Sequence, residues 1–309
     1  MSILNRESDG IYSVLLTIVS ALCREKAISR DDLIDTWGKL STRDDGATRD
    51  KLSRFRGVLN RWIALGLFVE EGNSIRLSVG PKRGQSEESF LTTLPDICRR
   101  LVLNVKHAYP LWPENDRITE EDLGITADFC RGLAWCLCQD IYSLPTSWNG
   151  GINDLFVRQV IPERSIIQND TRWQGLQDWA QFLGFAVNGS TGIFFDPTLA
   201  VRSAVQEILE VNKQIPADHF LTQLSERLPV LDGGVYRVEI EKVLRPDRWS
   251  PPPPGHLSTA LSFALRRLQK QAVLGFSTLS DASTQLTLTR LGGHRWESFT
   301  HVSLLRKVT

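Results

Sequence analysis

The 309-residue chain lacks an excess of charge of either sign: 36 Lys and Arg stand against 36 Asp and Glu. That excludes a bulk basic coat for nucleic acid, though not a local basic patch. It also lacks a membrane-length apolar run. The stretch Ile11 to Cys23 is broken by Tyr12, Ser13, Thr17 and Ser20, too short and too polar to span a bilayer. Arg6, Glu7 and Asp9 precede it where a secretory signal needs a basic n-region, so a cytoplasmic protein with no membrane partner is expected. A disulfide framework is missing too, because five cysteines is an odd count without framework spacing. Cys130, Cys136 and Cys138 invite a metal reading, but on a helix these steps point three thiols in different directions, and no His lies near. They read as small buried hydrophobes, and no metal is expected.

Catalytic constellations are absent as well. There is no Walker-type phosphate loop, no His-Glu-x-x-His and no nucleophile elbow. The five histidines, at 107, 219, 256, 294 and 301, are scattered. Glu239-Ile240-Glu241-Lys242 comes near a restriction-nuclease core, but that chemistry needs an acid, any residue, then Lys, and Glu241 directly abuts Lys242. No catalytic residue and no cofactor are assigned, and an enzyme is not expected.

What is present is ordinary globular composition, 41% hydrophobic and 23% charged, long enough for two or three domains. Charge is uneven along it. Residues 1–84 carry net +3, residues 85–215 net −7 and residues 216–309 net +4. A positive, negative, positive order points to different jobs for the ends and the middle.

A local pattern occurs three times: an amphipathic helix, Leu-Gly-apolar, then two short strand-like runs around a polar turn. The first copy runs Leu59-Asn60-Arg61-Trp62-Ile63-Ala64-Leu65-Gly66-Leu67-Phe68, then Val69 to Ser78 around Glu71-Gly72-Asn73. The second is Trp173 to Leu183, Gly184 to Val187, a turn at 188–192 and Ile193-Phe194-Phe195. The third is Leu257 to Leu274, Gly275-Phe276-Ser277, a turn near Ser280-Asp281 and Gln285 to Thr289. Gly66, Gly184 and Gly275 are placed as helix stops, where a left-handed residue costs least as glycine.

Helix, stop and two-stranded wing is the end of a winged-helix domain. Upstream of the first copy lie the helices it needs: one from Ser8 or Asp9 to Glu25, a short strand at Ala27-Ile28, and a second helix started by Ser29 with Asp32. Ser41 to Ala47 is the turn and Thr48 caps the third helix. The second copy takes Phe90 to His107, a short helix capped at Thr119 to Asp122, and Thr126 to Ile141, with Trp148 to Arg164 irregular. The third takes Pro197 to Val211 with Pro at N1, and Ala217 to Leu228. An insertion, 229–255, follows, with a strand-like Val235 to Val243 and a stiff Pro251 to Pro254 spacer. The fold expected is mainly α with small β-hairpins, as tandem winged-helix (helix-turn-helix) modules: 1–84, 85–196, and 197–309 with the insertion.

A winged helix lays its third helix in the major groove. At 100° per residue, Leu52, Phe55, Leu59, Trp62 and Ile63 form the core side of the first. Its opposite side carries Ser53, Arg54, Gly57, Asn60 and Arg61, flanked by Arg49 and Arg56, the residue types that phosphate and base-edge contacts use. Asp50 and the acidic wing, Glu70-Glu71, count against it. In the third copy Thr259, Ser262, Phe263, Arg266 and Lys270 face out beside Arg267; this face is also basic, with Arg266, Arg267 and Lys270 as further DNA-contact candidates and Phe263 read as a partner contact. In the second, Asp170, Thr171, Gln174, Asp178 and Gln181 face out, and nothing there attracts phosphate.

The opening Met1-Ser2-Ile3-Leu4-Asn5 through Asp9-Gly10 and Leu22, with Leu59-Asn60-Arg61-Trp62 to Leu67-Phe68, resembles the DpdG family. Members are encoded in bacterial gene clusters that insert 7-deazaguanine bases into DNA and are linked to restriction. The resemblance lies in structural motifs of the first module and implies a DNA-linked defence role. The expectation is a non-enzymatic DNA-binding or adaptor component of a bacterial DNA-transaction or defence complex, with double-stranded DNA and other protein subunits as partners. The alternative is a protein–protein scaffold of winged helices whose basic faces meet acidic partners.

Overall fold

The computed structural model describes residues 2–4, 13–37, 48–113, 122–190, 192–280, 282 and 284–307, without the side chains of 37 and 48–51. The expected cap at Ser8 or Asp9, the turn at 41–47 and the cap at Thr119 lie outside the described residues.

About half of the chain is helical, with small antiparallel strand pairings. The first unit runs α1 (Ser13–Glu25), β1 (Ala27–Ser29), α2 (Arg30–Asp32) with a π turn (Leu33–Trp37), α3 (Thr48–Ala64), β2 (Phe68–Glu71) and β3 (Ser74–Leu77). Ser29 starts α2 as its spacing requires: its Oγ accepts from the Asp32 N–H at 3.0 Å and donates to Asp32 Oδ2 at 2.6 Å. The strands order β1-β3-β2, all antiparallel.

The middle unit holds α4 (Glu87–Val102), α5 (Val105–Ala108), α6 (Ala127–Cys138), a π turn (Trp148–Ile152) with α7 (Asn153–Gln159), α8 (Asp170–Phe182), and the pair β4 (Val187–Gly189) and β5 (Gly192–Phe194). Every residue of α6 is buried. Gly132 makes this possible, since a Cβ there would meet Ile167 Cδ1 at 2.9 Å and Leu176 Cδ2 at 3.0 Å. Cys130, Cys136 and Cys138 are buried along it, and burial pushes all three thiols up, Cys138 to about 12. Asp128 is raised by the same desolvation, although Ser2 Oγ and the Phe129 N–H bind its carboxylate. Ile3 and Leu4 are fully buried, and the Ile3 N–H donates to the Ile125 carbonyl at 3.0 Å.

The last unit runs α9 (Thr198–Ile208), β6 (Gln214–Pro216), α10 (Ala217–Arg227), α11 (Val235–Val243), α12 (Thr259–Lys270), β7 (Leu274–Ser277), β8 (Leu286–Thr289), β9 (Arg295–Phe299) and β10 (His301–Leu304). Its main sheet orders β6-β10-β7, so the helix, strand, helix, helix, sheet order of the first unit recurs with α11 added between the last two helices. The strand that pairs with β7 is therefore β10, not the run at 285–289 expected from the repeat. That run pairs with β9 in a separate hairpin. Pro197 stands at the N-cap of α9 rather than at N1.

Three further expectations need correction. Trp148 to Arg164 is not irregular throughout, since the π turn (Trp148–Ile152) and α7 (Asn153–Gln159) take up most of it. Val235 to Val243 is a helix, not a strand: Tyr236, Arg237, Ile240 and Val243 are its buried residues, a helical spacing that seats it on α6. The third helix stop is Ala272, not Gly275. In each unit one N–H reaches back three residues and the next reaches back five. The pairs are Gly66 to Ile63 with Leu67 to Trp62, Gly184 to Gln181 with Phe185 to Ala180, and Ala272 to Gln269 with Val273 to Leu268. Gly66, Gly184 and Ala272 all have positive φ, the last at 53°. Gly275 lies inside β7, where a Cβ would meet Ser303 Oγ at 2.9 Å.

One buried cluster runs through all three units. Trp62 of α3 packs on Trp179 of α8, ring centroids 5.5 Å apart. Arg99 of α4 donates to the Leu183 carbonyl at 2.7 Å.

Candidate nucleic-acid interface

α3 presents its face as the sequence pattern predicts, with one exception. Phe55, Leu59 and Trp62 are buried, and Leu52 and Ile63 are partly so. Ser53, Arg54, Arg56 and Asn60 are exposed. Arg49 falls in α3, but its side chain lies outside the described residues. At Gly57 an added Cβ would meet none of the described residues within 4 Å, so none of them covers this part of the helix.

The exception is Arg61, read as solvent-facing but only 7% exposed. Val58, three residues before it, and Leu65, four after it, are buried at 3% and 0%. Arg61 thus lies on the edge of the core stripe, in the half of α3 that the rest of the fold encloses. A projection treats every turn of a helix alike and misses this.

The acids of β2 are neutralised from within. Arg30 at the start of α2 donates from Nη1 to Glu70 Oε1 at 2.7 Å, and its Nη2 donates to Asn60 Oδ1. Arg76 on β3 donates to Glu71 Oε1 at 2.6 Å. Arg54 and Arg56 have no ion-pair partner among the described residues. The surface around α3 therefore presents two guanidiniums with no ion-pair partner among the described residues, and a serine hydroxyl, beside a hairpin whose carboxylates are already paired. Arg30 and Arg76 escaped the sequence reading because they lie outside the third helix. The strand β1 that brings Arg30 to the wing was visible only as a short apolar run.

The third unit differs. Thr259 and Ser262, read as outward-facing, are 8% and 0% exposed. The Thr259 hydroxyl donates to the Gln139 carbonyl at 3.2 Å, and Ser262 Oγ accepts from the Thr289 N–H at 2.9 Å. Phe263, read as a partner contact, packs edge-on against Phe194 and Tyr142 at 5.5 and 6.0 Å, so its partner is the middle unit of the same chain. Arg266 is paired with Glu297 at 2.6 Å, and Arg267 with buried Asp196. Lys270 stays exposed. The structure thus brings Ser53, Arg54, Arg56 and Asn60 together on one surface and commits Arg266 and Arg267 elsewhere.

On α8, Thr171, Gln174 and Asp178 are exposed, while Trp173, Leu176, Trp179, Ala180 and Leu183 are buried. Among the described residues no group of three or more His, Cys, Asp and Glu is placed to hold a metal ion. No helix among them is long and apolar enough to cross a membrane.

A family model described as DpdG-like matches residues 1–282, well beyond the first module. No curated protein and no solved structure gives a significant match to the chain.

Proposed function

Because the chain belongs to the DpdG-like family, we propose that it is a non-enzymatic DNA-binding or adaptor component of a bacterial DNA-modification and defence complex, built of winged-helix modules. Duplex DNA and other subunits of that complex are its partners in this reading. The observation that carries it is the α3 surface, where Arg54 and Arg56 have no ion-pair partner among the described residues and stand beside a hairpin whose two acids are paired by Arg30 and Arg76. A third helix entering a major groove needs cations that reach phosphates and guanine edges, and carboxylates that do not repel them.

The recurrence of one sheet order, first-last-second by place in the unit, supports the modular reading. In this assignment the first unit reads DNA, the middle unit is a spacer and the last unit braces the assembly. The test is an anisotropy titration of the full chain with random duplex at two salt concentrations. Affinity that falls with salt is expected, since phosphate contacts release counterions.

A second reading, a protein–protein scaffold without DNA contact, draws on the third unit. There, Arg266 and Arg267 are taken by Glu297 and Asp196, as in a module whose helix packs rather than reads. It expects no salt-dependent duplex affinity in the wild type.

A further inference from the structure

The last unit carries something the first does not. Between β7 and β10, where a simple wing would turn, the chain inserts the hairpin β8–β9. β8 is buried along its whole length, whereas Arg290 and the next six residues, Leu291 to Trp296, are all exposed. The tip is nonetheless held. The Arg290 N–H donates to the His294 carbonyl at 2.8 Å, and the Gly293 N–H to the Arg290 carbonyl at 3.0 Å. The Gly292 N–H donates to Asp140 Oδ2 of the middle unit at 3.1 Å.

Its charge is one-sided. From Leu286 to Phe299 it carries Arg290 and Arg295 against Glu297. Glu297 is taken by Arg266, so the hairpin has no free carboxylate among its described residues. Arg290 and Arg295 have no ion-pair partner among them either. Beside Arg295 stands Trp296, 37% exposed, with the Arg266 guanidinium over its ring at 5.6 Å.

We propose that this hairpin binds single-stranded DNA, Arg290 and Arg295 holding phosphates and Trp296 stacking an unpaired base. The proposal rests on reading the chain as a DNA-binding component, and adds a second surface distinct from α3. Cations complementary to a polyanion, set beside an exposed aromatic face, make up the arrangement that binds single strands. Duplex bases are already stacked on one another and offer the indole no free face.

The test uses the full chain, with labelled oligothymidine and random duplex across a salt series. Arg290→Ala with Arg295→Ala should lower the single-strand salt slope by about 1.4, at about 0.7 per lost phosphate contact. Trp296→Ala should weaken single-strand binding by about 5- to 160-fold and leave the slope unchanged, with Trp296→Phe keeping most of the affinity. Duplex affinity should hold in all three, while Arg54→Ala with Arg56→Ala should weaken it. Hairpin variants that bind oligothymidine like the wild type, or that lose both probes equally, overturn the proposal and leave the α3 reading standing. A wild type that binds neither probe overturns both.

Discussion

Arg30 joins three parts of the first unit at one side chain. Its Nη1 donates to Glu70 on the wing at 2.7 Å, and its Nη2 donates to Asn60 on α3. Removing either end of this link should change how the surface meets phosphate. Glu70→Gln frees the guanidinium and removes a negative charge, so duplex affinity should rise. The plot of log affinity against log salt should steepen by about 0.9 if Arg30 then takes a phosphate. Arg30→Ala leaves Glu70 unpaired and should weaken binding. A salt series with both variants decides; two unchanged slopes would place the DNA away from the wing.

Arg54 and Arg61, equivalent on a helical wheel, should behave as opposites. Arg61 is 7% exposed between buried Val58 and Leu65, so Arg61→Ala should cost about 1–3 kcal/mol of stability. Arg54→Ala is an exposed change and should stay within about 0.5 kcal/mol. Urea unfolding separates them, and equal midpoints would return Arg61 to the surface.

Much of this was legible beforehand, for a physical reason. Where a rule depends only on neighbours in sequence, it held: the Ser29–Asp32 start, the helix stops at Gly66 and Gly184, and the buried stripe Phe55, Leu59 and Trp62. Where the answer depends on what packs alongside, it did not. Arg61 and Ser262 fall on polar arcs of their helices, yet other elements cover them. Val235 to Val243 is rich in β-branched residues, but burial against α6 chose a helix. Ala272 replaced glycine at a helix stop, which composition rules give no cause to expect. In the candidate site, Ser53, Arg54, Arg56 and Asn60 were readable from one helix. Arg30 was not, because a strand pairing carries it there.

Phe263 fixes the last unit to the middle one through Phe194 and Tyr142. Phe263→Ala should lower stability by about 1–3 kcal/mol, less than for a fully buried ring. Duplex affinity of the folded variant should not change. Weakened binding at a temperature where circular dichroism shows full folding would make Phe263 part of an external interface.

Arg24 and Ser20 of α1 hold the Glu87 carboxyl below its usual range by hydrogen bonds. A depressed carboxylate contributes stability that is present above its unfolded value and is lost as pH falls through the folded one. Glu87→Gln should therefore melt slightly lower than the wild type at neutral pH. The gap should close on acidification below about pH 4, the ordinary range of a glutamate. A gap that widens there would contradict this sign.

The central claim is that α3 of the first unit reads DNA, and its most direct test is the salt dependence of duplex binding by the full chain carrying Arg54→Ala with Arg56→Ala. Both side chains are exposed and without an ion-pair partner among the described residues, so the fold should survive, as circular dichroism will show. The account predicts weaker binding and a slope reduced by about 1.8, at about 0.9 per lost phosphate contact. A folded double variant with wild-type affinity and slope would contradict it.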